Sequence, residues 1–233
     1  MEKTSYVVTE KDDPTNKVEL RAGTGGKYDE SLQPGEVLAD IVAEIPELRT
    51  FASYDTKVLF NRDSCRMAKD EWKTIAMELD RARDEYDAFV IIHGTDTLAY
   101  TATALSLMLQ GFGKPIVLTG SQLPLAFPRS DARQNLIDSI SCAVARREDG
   151  PILREVAVCF GGWLLRGNRI RKDHTSRYNA FASPNYPPLA EIGVGTYAET
   201  APRSPQVREV ALATIAHVTR GFCWNIRADI QES

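Results

Sequence analysis

From about residue 88 the apolar positions alternate between two rhythms. Short continuous runs, Phe89-Val90-Ile91-Ile92, Pro115-Ile116-Val117-Leu118-Thr119 and Val156-Ala157-Val158-Cys159-Phe160, have the length and β-branched content of strands buried on both faces. Between them, Leu98, Ala102, Leu105, Met108 and Leu109, and then Leu136, Ile140, Ala143 and Val144, recur at helical spacing. Strand and helix in alternation, joined by short turns, predict βαβ units with right-handed crossovers and a parallel sheet. Gly111 and Gly113 stop the first helix, and Asp131 stands where it can cap the second.

Outside this stretch the pattern is thinner. Val37, Leu38, Ile41, Val42 and Ile45 make one helical face between Pro34-Gly35 and Pro46, and Val58-Leu59-Phe60 predicts a short strand. Trp72, Ile75, Ala76 and Leu79 line one side of a helix whose other side is charged and solvated. Tyr6-Val7-Val8 and Val18-Glu19-Leu20 are each too short to read as strands. Arg166, Arg169, Arg171 and Lys172 crowd one segment, for which a solvated basic turn is the default expectation. Residues 181–188 are proline-rich and read as a loop with turns. Beyond them, Val207, Val210, Ala211, Ile215 and Val218 follow Ser204-Pro205 at helical spacing, and residues 222–226 can add a short strand.

Composition narrows the function classes. The chain has 233 residues, enough for a full core, and a formal charge of -4, which gives no basic bulk for nucleic acid and no polybasic run for a membrane surface. Its apolar runs are too short to span a bilayer, and the first residues lack the apolar core of a signal peptide, so a cytoplasmic protein is expected. Cys65, Cys142, Cys159 and Cys223 form no CxxC pair, and His93, His174 and His217 lack metal-ligand spacing. Cys142 and Cys159 read as inert core thiols.

The chemistry gathers at His93-Gly94-Thr95-Asp96-Thr97, directly after the most apolar strand. In an open parallel sheet the carboxyl ends of the strands are where ligands bind. Thr95 and Asp96 can be ordinary helix-capping residues. They can equally supply a nucleophilic hydroxyl beside a carboxylate, provided a base lies close by. The loop at residues 121–130, with its two prolines at another strand's carboxyl end, reads as site-forming.

Four stretches, in order and in register, resemble the asparaginase/glutaminase family, and its cytosolic type I branch most closely. They are His93-Gly94-Thr95-Asp96-Thr97-Leu98; Asp63-Ser64-Cys65-Arg66-Met67 ahead of Trp72; Gly113-Lys114-Pro115 through Thr119-Gly120-Ser121-Gln122-Leu123-Pro124 with Arg129-Ser130-Asp131 and Asn135-Leu136; and Arg166-Gly167-Asn168-Arg169 with Lys172, followed by Phe181-Ala182-Ser183-Pro184-Asn185. The resemblance implies a three-layer, flavodoxin-like α/β sandwich with a mostly parallel sheet. It divides the chain into a poorly defined segment at 1–25, an asparaginase N-terminal domain at 26–195, and a short tail at 196–233. It implies hydrolysis of L-asparagine to L-aspartate and ammonia without a cofactor or metal, and a homo-oligomer. By the same resemblance Thr95, Asp96 and Lys172 form a Thr-Asp-Lys triad. Ser64 holds the substrate's α-carboxylate, Asp96 also holds its α-ammonium group, and Ser121 lies next to a carbonyl that binds the amide. Cys65 occupies a substrate-contacting position, and Tyr28 stands in the place of a loop tyrosine. A lysine serves as base only when neutral, which burial or cationic neighbours favour, and backbone N–H groups around Gly94 and Thr95 would stabilise the oxyanion.

The chain departs from the family pattern in three ways. The family's first strand runs into Thr-Gly-Gly-Thr, whose second threonine is a nucleophile, whereas here Thr24-Gly25-Gly26 is followed by Lys27-Tyr28. Cys65 stands where type I members carry a polar oxygen-bearing residue. Residues 196–233 are too few for the family's C-terminal domain, so the chain reads as truncated or altered at both ends. Impaired turnover is therefore expected. Two other readings remain open, a non-catalytic amino-acid-binding protein and the asparaginase-like subunit of a tRNA-dependent amidotransferase.

Overall fold

The computed structural model describes residues 5–11, 45–61, 64–125, 127–148, 150–193 and 196–198. The helix expected at 37–45 lies outside these residues except for Ile45, and so do Tyr28, Thr24 and the segments predicted beyond residue 198. At the centre is a sheet whose described strands run β12-β11-β8-β7-β4-β3-β1-β2. These are β1 (Ser5–Lys11), β2 (Tyr54–Asn61), β3 (Phe89–Ile92), β4 (Ile116–Thr119), β7 (Val156–Phe160), β8 (Trp163–Arg166), β11 (Ala190–Ile192) and β12 (Thr196–Ala198). A small hairpin of β5 (Arg146–Arg147) and β6 (Gly150–Pro151) intervenes, and β9 (Arg171–Lys172) pairs with β10 (Phe181–Ala182).

The five strands β2-β1-β3-β4-β7 are parallel, and β8, β11 and β12 extend them in antiparallel fashion. Numbered by their appearance in the parallel set, they follow the order 2-1-3-4-5 of the flavodoxin-like fold, whose ligand crevice lies at the switch between the first and third strands. The sequence pattern left Tyr6-Val7-Val8 unassigned. The structure makes this segment β1, in parallel register with β3 from Tyr6 opposite Phe89 to Thr9 opposite Ile92. The proline-rich stretch likewise supplies a strand, since Phe181 pairs with Lys172.

Side chains alternate across this sheet with period two. Phe89, Ile91, Ile116, Leu118, Val156 and Val158 face α2 (Lys69–Ala82) and α3 (Leu98–Met108), where Ile75, Leu79, Ala102 and Leu105 are buried. Val90, Val117, Ala157 and Cys159 face the opposite layer, built from α1 (Leu48–Phe51) and α4 (Ala132–Val144) through Leu48, Leu136 and Ile140. Both faces are covered, which is why these strands read as unbroken apolar runs rather than as alternating ones. Cys142 and Cys159 belong to the second layer and are buried free thiols, as the sequence predicted.

Candidate active site

The turn after β3 is held by contacts only small residues permit. A Cβ on Gly94 would fall 2.6 Å from both Cβ and Oγ of Ser64, so the turn beginning at Ser64 sits against bare backbone. A Cβ on Gly120 would fall 2.2 Å from the His93 carbonyl oxygen, so the ends of β3 and β4 close together only with glycine there. The Thr97 hydroxyl donates to the Ser64 carbonyl at 2.6 Å. The residue preceding α3 is Thr97, not Thr95 or Asp96, and its side chain ties two loops together instead of capping the helix.

Lys172 reaches this turn from β9. Its ammonium donates to Thr95 Oγ1 at 2.7 Å and to Asp96 Oδ1 at 2.6 Å. The Cys65 thiol donates to the other carboxylate oxygen of Asp96 at 3.6 Å. Asp96 is exposed, and the hydrogen bond from Lys172 is the main cause that holds its carboxyl below the ordinary carboxylate range; partial burial opposes the shift, while the charge of Lys172 and the Cys65 thiol add to it. Four of the predicted site residues therefore meet directly. Ser64 is buried against Gly94 and joined to the turn through Thr97. Ser121 is half-buried at the carboxyl end of β4; among the described residues no side-chain hydrogen bond joins it to the others. Tyr28 lies outside the described residues.

Two expectations for the surrounding chain need correction. The segment at 166–174 is not simply a solvated turn. Arg169 and Arg171 are exposed, with Arg171 paired to Asp173 at 2.5 Å, but Arg166 is buried. Its Nε and Nη2 donate to the two oxygens of Glu155 at 2.7 and 2.9 Å, and its guanidinium lies 4.3 Å from the Tyr186 ring centroid. Asp131 precedes α4 without capping it. Its carboxylate accepts the N–H groups of Gln122 (3.0 Å) and Leu123 (3.1 Å) and the side-chain amide of Asn135 (3.0 Å). Asn135 also donates to the Gly120 carbonyl at 2.9 Å and accepts from the Gly161 N–H at 3.1 Å, so one buried amide joins the ends of β4 and β7. The 121–130 loop is thus pinned from α4.

Sequence reasoning assigned no role to a second buried group, His93. Its Nδ1 lies 2.7 Å from the Gly94 carbonyl oxygen and its Nε2 lies 3.0 Å from Thr101 Oγ1, while the Trp72 indole N–H donates to that same hydroxyl at 2.9 Å. Burial pushes the imidazole down to about 4, against a smaller opposing effect of the Gly94 carbonyl. No spacing rule connects residues on three different elements. The only local signal was a histidine continuing a wholly apolar strand.

A hydroxyl and a carboxylate bonded to one amine, at the switch point of a 2-1-3-4-5 sheet, define an α/β sandwich with a Thr-Asp-Lys cluster. The family model described as "Asparaginase, N-terminal" matches residues 22–203, and the chain belongs to the asparaginase family. It is 44% identical over 160 residues to "L-asparaginase 1" of Escherichia coli K12, a match covering 69% of this chain and 45% of that protein. It is 42% identical over 170 residues to a glutamyl-tRNA(Gln) amidotransferase subunit of Methanobrevibacter smithii, covering 70% of this chain and 37% of that one. Among solved structures, L-asparaginase I from Vibrio cholerae superposes with a TM-score of 0.72 at 33% identity, covering 88% of this chain and 58% of the other. The chain thus spans less than half the length of these two curated relatives. Among the described residues, no helix is long and apolar enough to cross a membrane and no His/Cys/Asp/Glu group could hold a metal ion.

Proposed function

We propose that this chain is an L-asparagine amidohydrolase acting through Thr95, with Asp96 and Lys172 completing the triad. The observation that carries the reading is the bonding of the Lys172 amine to Thr95 Oγ1 and Asp96 Oδ1 together. A nucleophile, a proton acceptor and an orienting group within hydrogen-bond reach are the constellation that acyl transfer needs. The α-ammonium of asparagine docks on Asp96, and a second cation beside a lysine favours its neutral amine. The Thr95 oxygen then attacks the side-chain amide carbon as its proton passes to Lys172. Collapse of the tetrahedral intermediate breaks the C–N bond, and the proton leaves with ammonia. Water hydrolyses the resulting ester, releasing L-aspartate and restoring the hydroxyl. Ser64, Ser121, Cys65 and Tyr28 take the substrate-binding roles that the family pattern gives them. The same reading includes no cofactor, a small-molecule substrate and assembly into a homo-oligomer.

Ammonia release from L-asparagine by the purified chain tests this, beside Thr95→Ala and Lys172→Ala. Each variant is expected to lose at least about a hundredfold in kcat, as removal of one member of a cooperating nucleophilic set does. Turnover untouched by both changes overturns the site.

A second reading draws on Lys27, which follows the Thr24-Gly25-Gly26 stretch where the family carries a threonine. On that reading the chain binds an acidic amino acid without hydrolysing its amide, and calorimetry shows aspartate binding with no ammonia produced. The relationship to an amidotransferase subunit supports a third, in which glutamine competes with asparagine as ammonia source.

A further inference from the structure

His93, Thr101 and Trp72 form a buried chain whose direction is fixed by chemistry. His93 is 2% exposed and Thr101 is fully buried. A neutral imidazole has one N–H donor and one acceptor nitrogen. The Gly94 carbonyl can only accept, so Nδ1 carries the proton in its 2.7 Å contact. Nε2 is then an acceptor, and the Thr101 hydroxyl donates to it across 3.0 Å. An indole N–H can only donate, so Thr101 Oγ1 accepts from Trp72 at 2.9 Å. All the bonds run one way: Trp72 to Thr101, Thr101 to His93, His93 to Gly94. The protonated ring would give Nε2 a hydrogen as well and reverse the middle bond, which burial disfavours.

The end of this chain matters because the Gly94 carbonyl and the Thr95 N–H belong to one peptide group. No described peptide bond is cis, so the two point in opposite directions. The carbonyl turns inward to the imidazole, and the Thr95 N–H is directed away from the ring. A hydrogen bond accepted at the carbonyl strengthens the N–H on the other side as a donor, by roughly 10–30% per bond in a chain. The same turn is fixed in position by the His93 N–H donating to the Thr119 carbonyl at 2.8 Å.

We infer that His93, held as its Nδ1–H tautomer by Thr101 and Trp72, is a positioning residue that orients and polarises the Gly94–Thr95 peptide so that the Thr95 N–H meets the oxyanion formed when Thr95 attacks. The inference rests on the proposed amidohydrolase reading for the oxyanion, and on geometry alone for the tautomer. It acts through a backbone group and requires no contact between the imidazole and substrate.

The test uses the full chain labelled with 15N. Long-range 1H–15N spectra of His93, assigned by its loss in His93→Asn, are expected to show a pyrrole-type Nδ1 and a pyridine-type Nε2, unchanged between about pH 5.5 and 8. Thr101→Val removes the donor to Nε2 while nearly keeping shape. It is expected to move the Thr95 amide proton upfield and to lower kcat roughly tenfold with KM within about twofold, less than the loss of a whole oxyanion donor. Trp72→Phe should move both in the same direction by less. His93→Asn, whose side-chain amide can still donate to the Gly94 carbonyl, should retain more kcat than His93→Leu. A pyrrole-type Nε2, or a Thr95 amide and kcat indifferent to Thr101→Val and Trp72→Phe in folded protein, overturns the inference. If the unmodified chain releases no ammonia, the amidohydrolase reading fails while the ring spectrum and the Thr95 amide shift still decide the positioning chain.

Discussion

The buried pair of Arg166 and Glu155 offers a test of the fold that needs no substrate. The Arg166 side chain is 3% exposed and that of Glu155 14%. They meet through two parallel bonds of 2.7 and 2.9 Å, and the Tyr186 ring covers the guanidinium at 4.3 Å. Burial by itself disfavours the charge on Arg166, yet the Glu155 carboxylate and the Tyr186 hydroxyl together outweigh it and hold the guanidinium's proton above its ordinary range. Arg166→Met robs Glu155 of its bidentate counter-ion in a poorly hydrated place. Breaking such a pair from one side costs about 3–5 kcal/mol. Loss of the aromatic contact adds about 1 kcal/mol. For a chain of this size each kcal/mol shifts the midpoint by about 2–4 °C, so Tm should fall by on the order of 10 °C. The double change Arg166→Met with Glu155→Leu removes both charges and should recover most of that loss, since apolar replacement of a buried pair is often neutral. Thermal and urea unfolding followed by circular dichroism give all four corners of the cycle. A single variant costing less than about 1 kcal/mol, or a double variant as destabilised as the two singles added, would refute the reasoning.

Three further outcomes follow from named contacts. His93 titrates at about 4 in the fold against an ordinary 6.5, so its contribution is complete above the unfolded value, is lost as pH falls from about 6.5 toward 4, and is gone below that; the loss is about 3 kcal/mol. Urea midpoints across that window should show the slope in the parent and a shallower one in His93→Asn, and equal slopes would count against it. Gly94→Ala places a methyl 2.6 Å from Ser64 Cβ and Oγ, and overpacking of this kind costs about 1–3 kcal/mol; a crystal structure or denaturation curve matching the parent would contradict the contact. Asp131→Ala frees the Gln122 and Leu123 N–H groups that hold the 121–130 loop, so limited proteolysis should cut there sooner, with a stability loss of about 1–3 kcal/mol.

What the sequence disclosed, and what it hid, divides by the range of the interaction. β3, β4, β7 and the helices between them were legible because burial on both faces leaves an unbroken apolar run, and one buried helix face leaves a 3.6-residue rhythm. β1 was not. Its Tyr6-Val7-Val8 core is flanked by Ser5, Thr9, Glu10 and Lys11, and its partners β2 and β3 lie about fifty and eighty residues away. Asp131 was misread because capping and loop-clamping use the same residue type at the same place, and only the distance to Gln122 and Leu123 separates them. Arg166 was misread because a run of cations looks like surface until Glu155 is found opposite it. In the site, Thr95 and Asp96 could be read from one turn. Lys172 comes from 77 residues beyond Thr95, and no periodicity predicts that meeting; only the family resemblance pointed to it.

β1 lies well ahead in sequence of Thr24-Gly25-Gly26, the stretch that resembles part of the family's first threonine motif. Val18-Glu19-Leu20, the apolar stretch ahead of Thr24-Gly25-Gly26, reads as too short for a strand. The described β1 ends at Lys11, level with Asn61 of β2, and the residues that follow it in sequence are Asp12, Asp13 and Pro14. Thr24 lies thirteen positions beyond Lys11, and Lys27 stands where the family pattern carries its second threonine. On the proposed reading, chemistry then falls to Thr95, whose hydroxyl accepts from the Lys172 amine at 2.7 Å, and the rate of ammonia release measures how far it suffices alone.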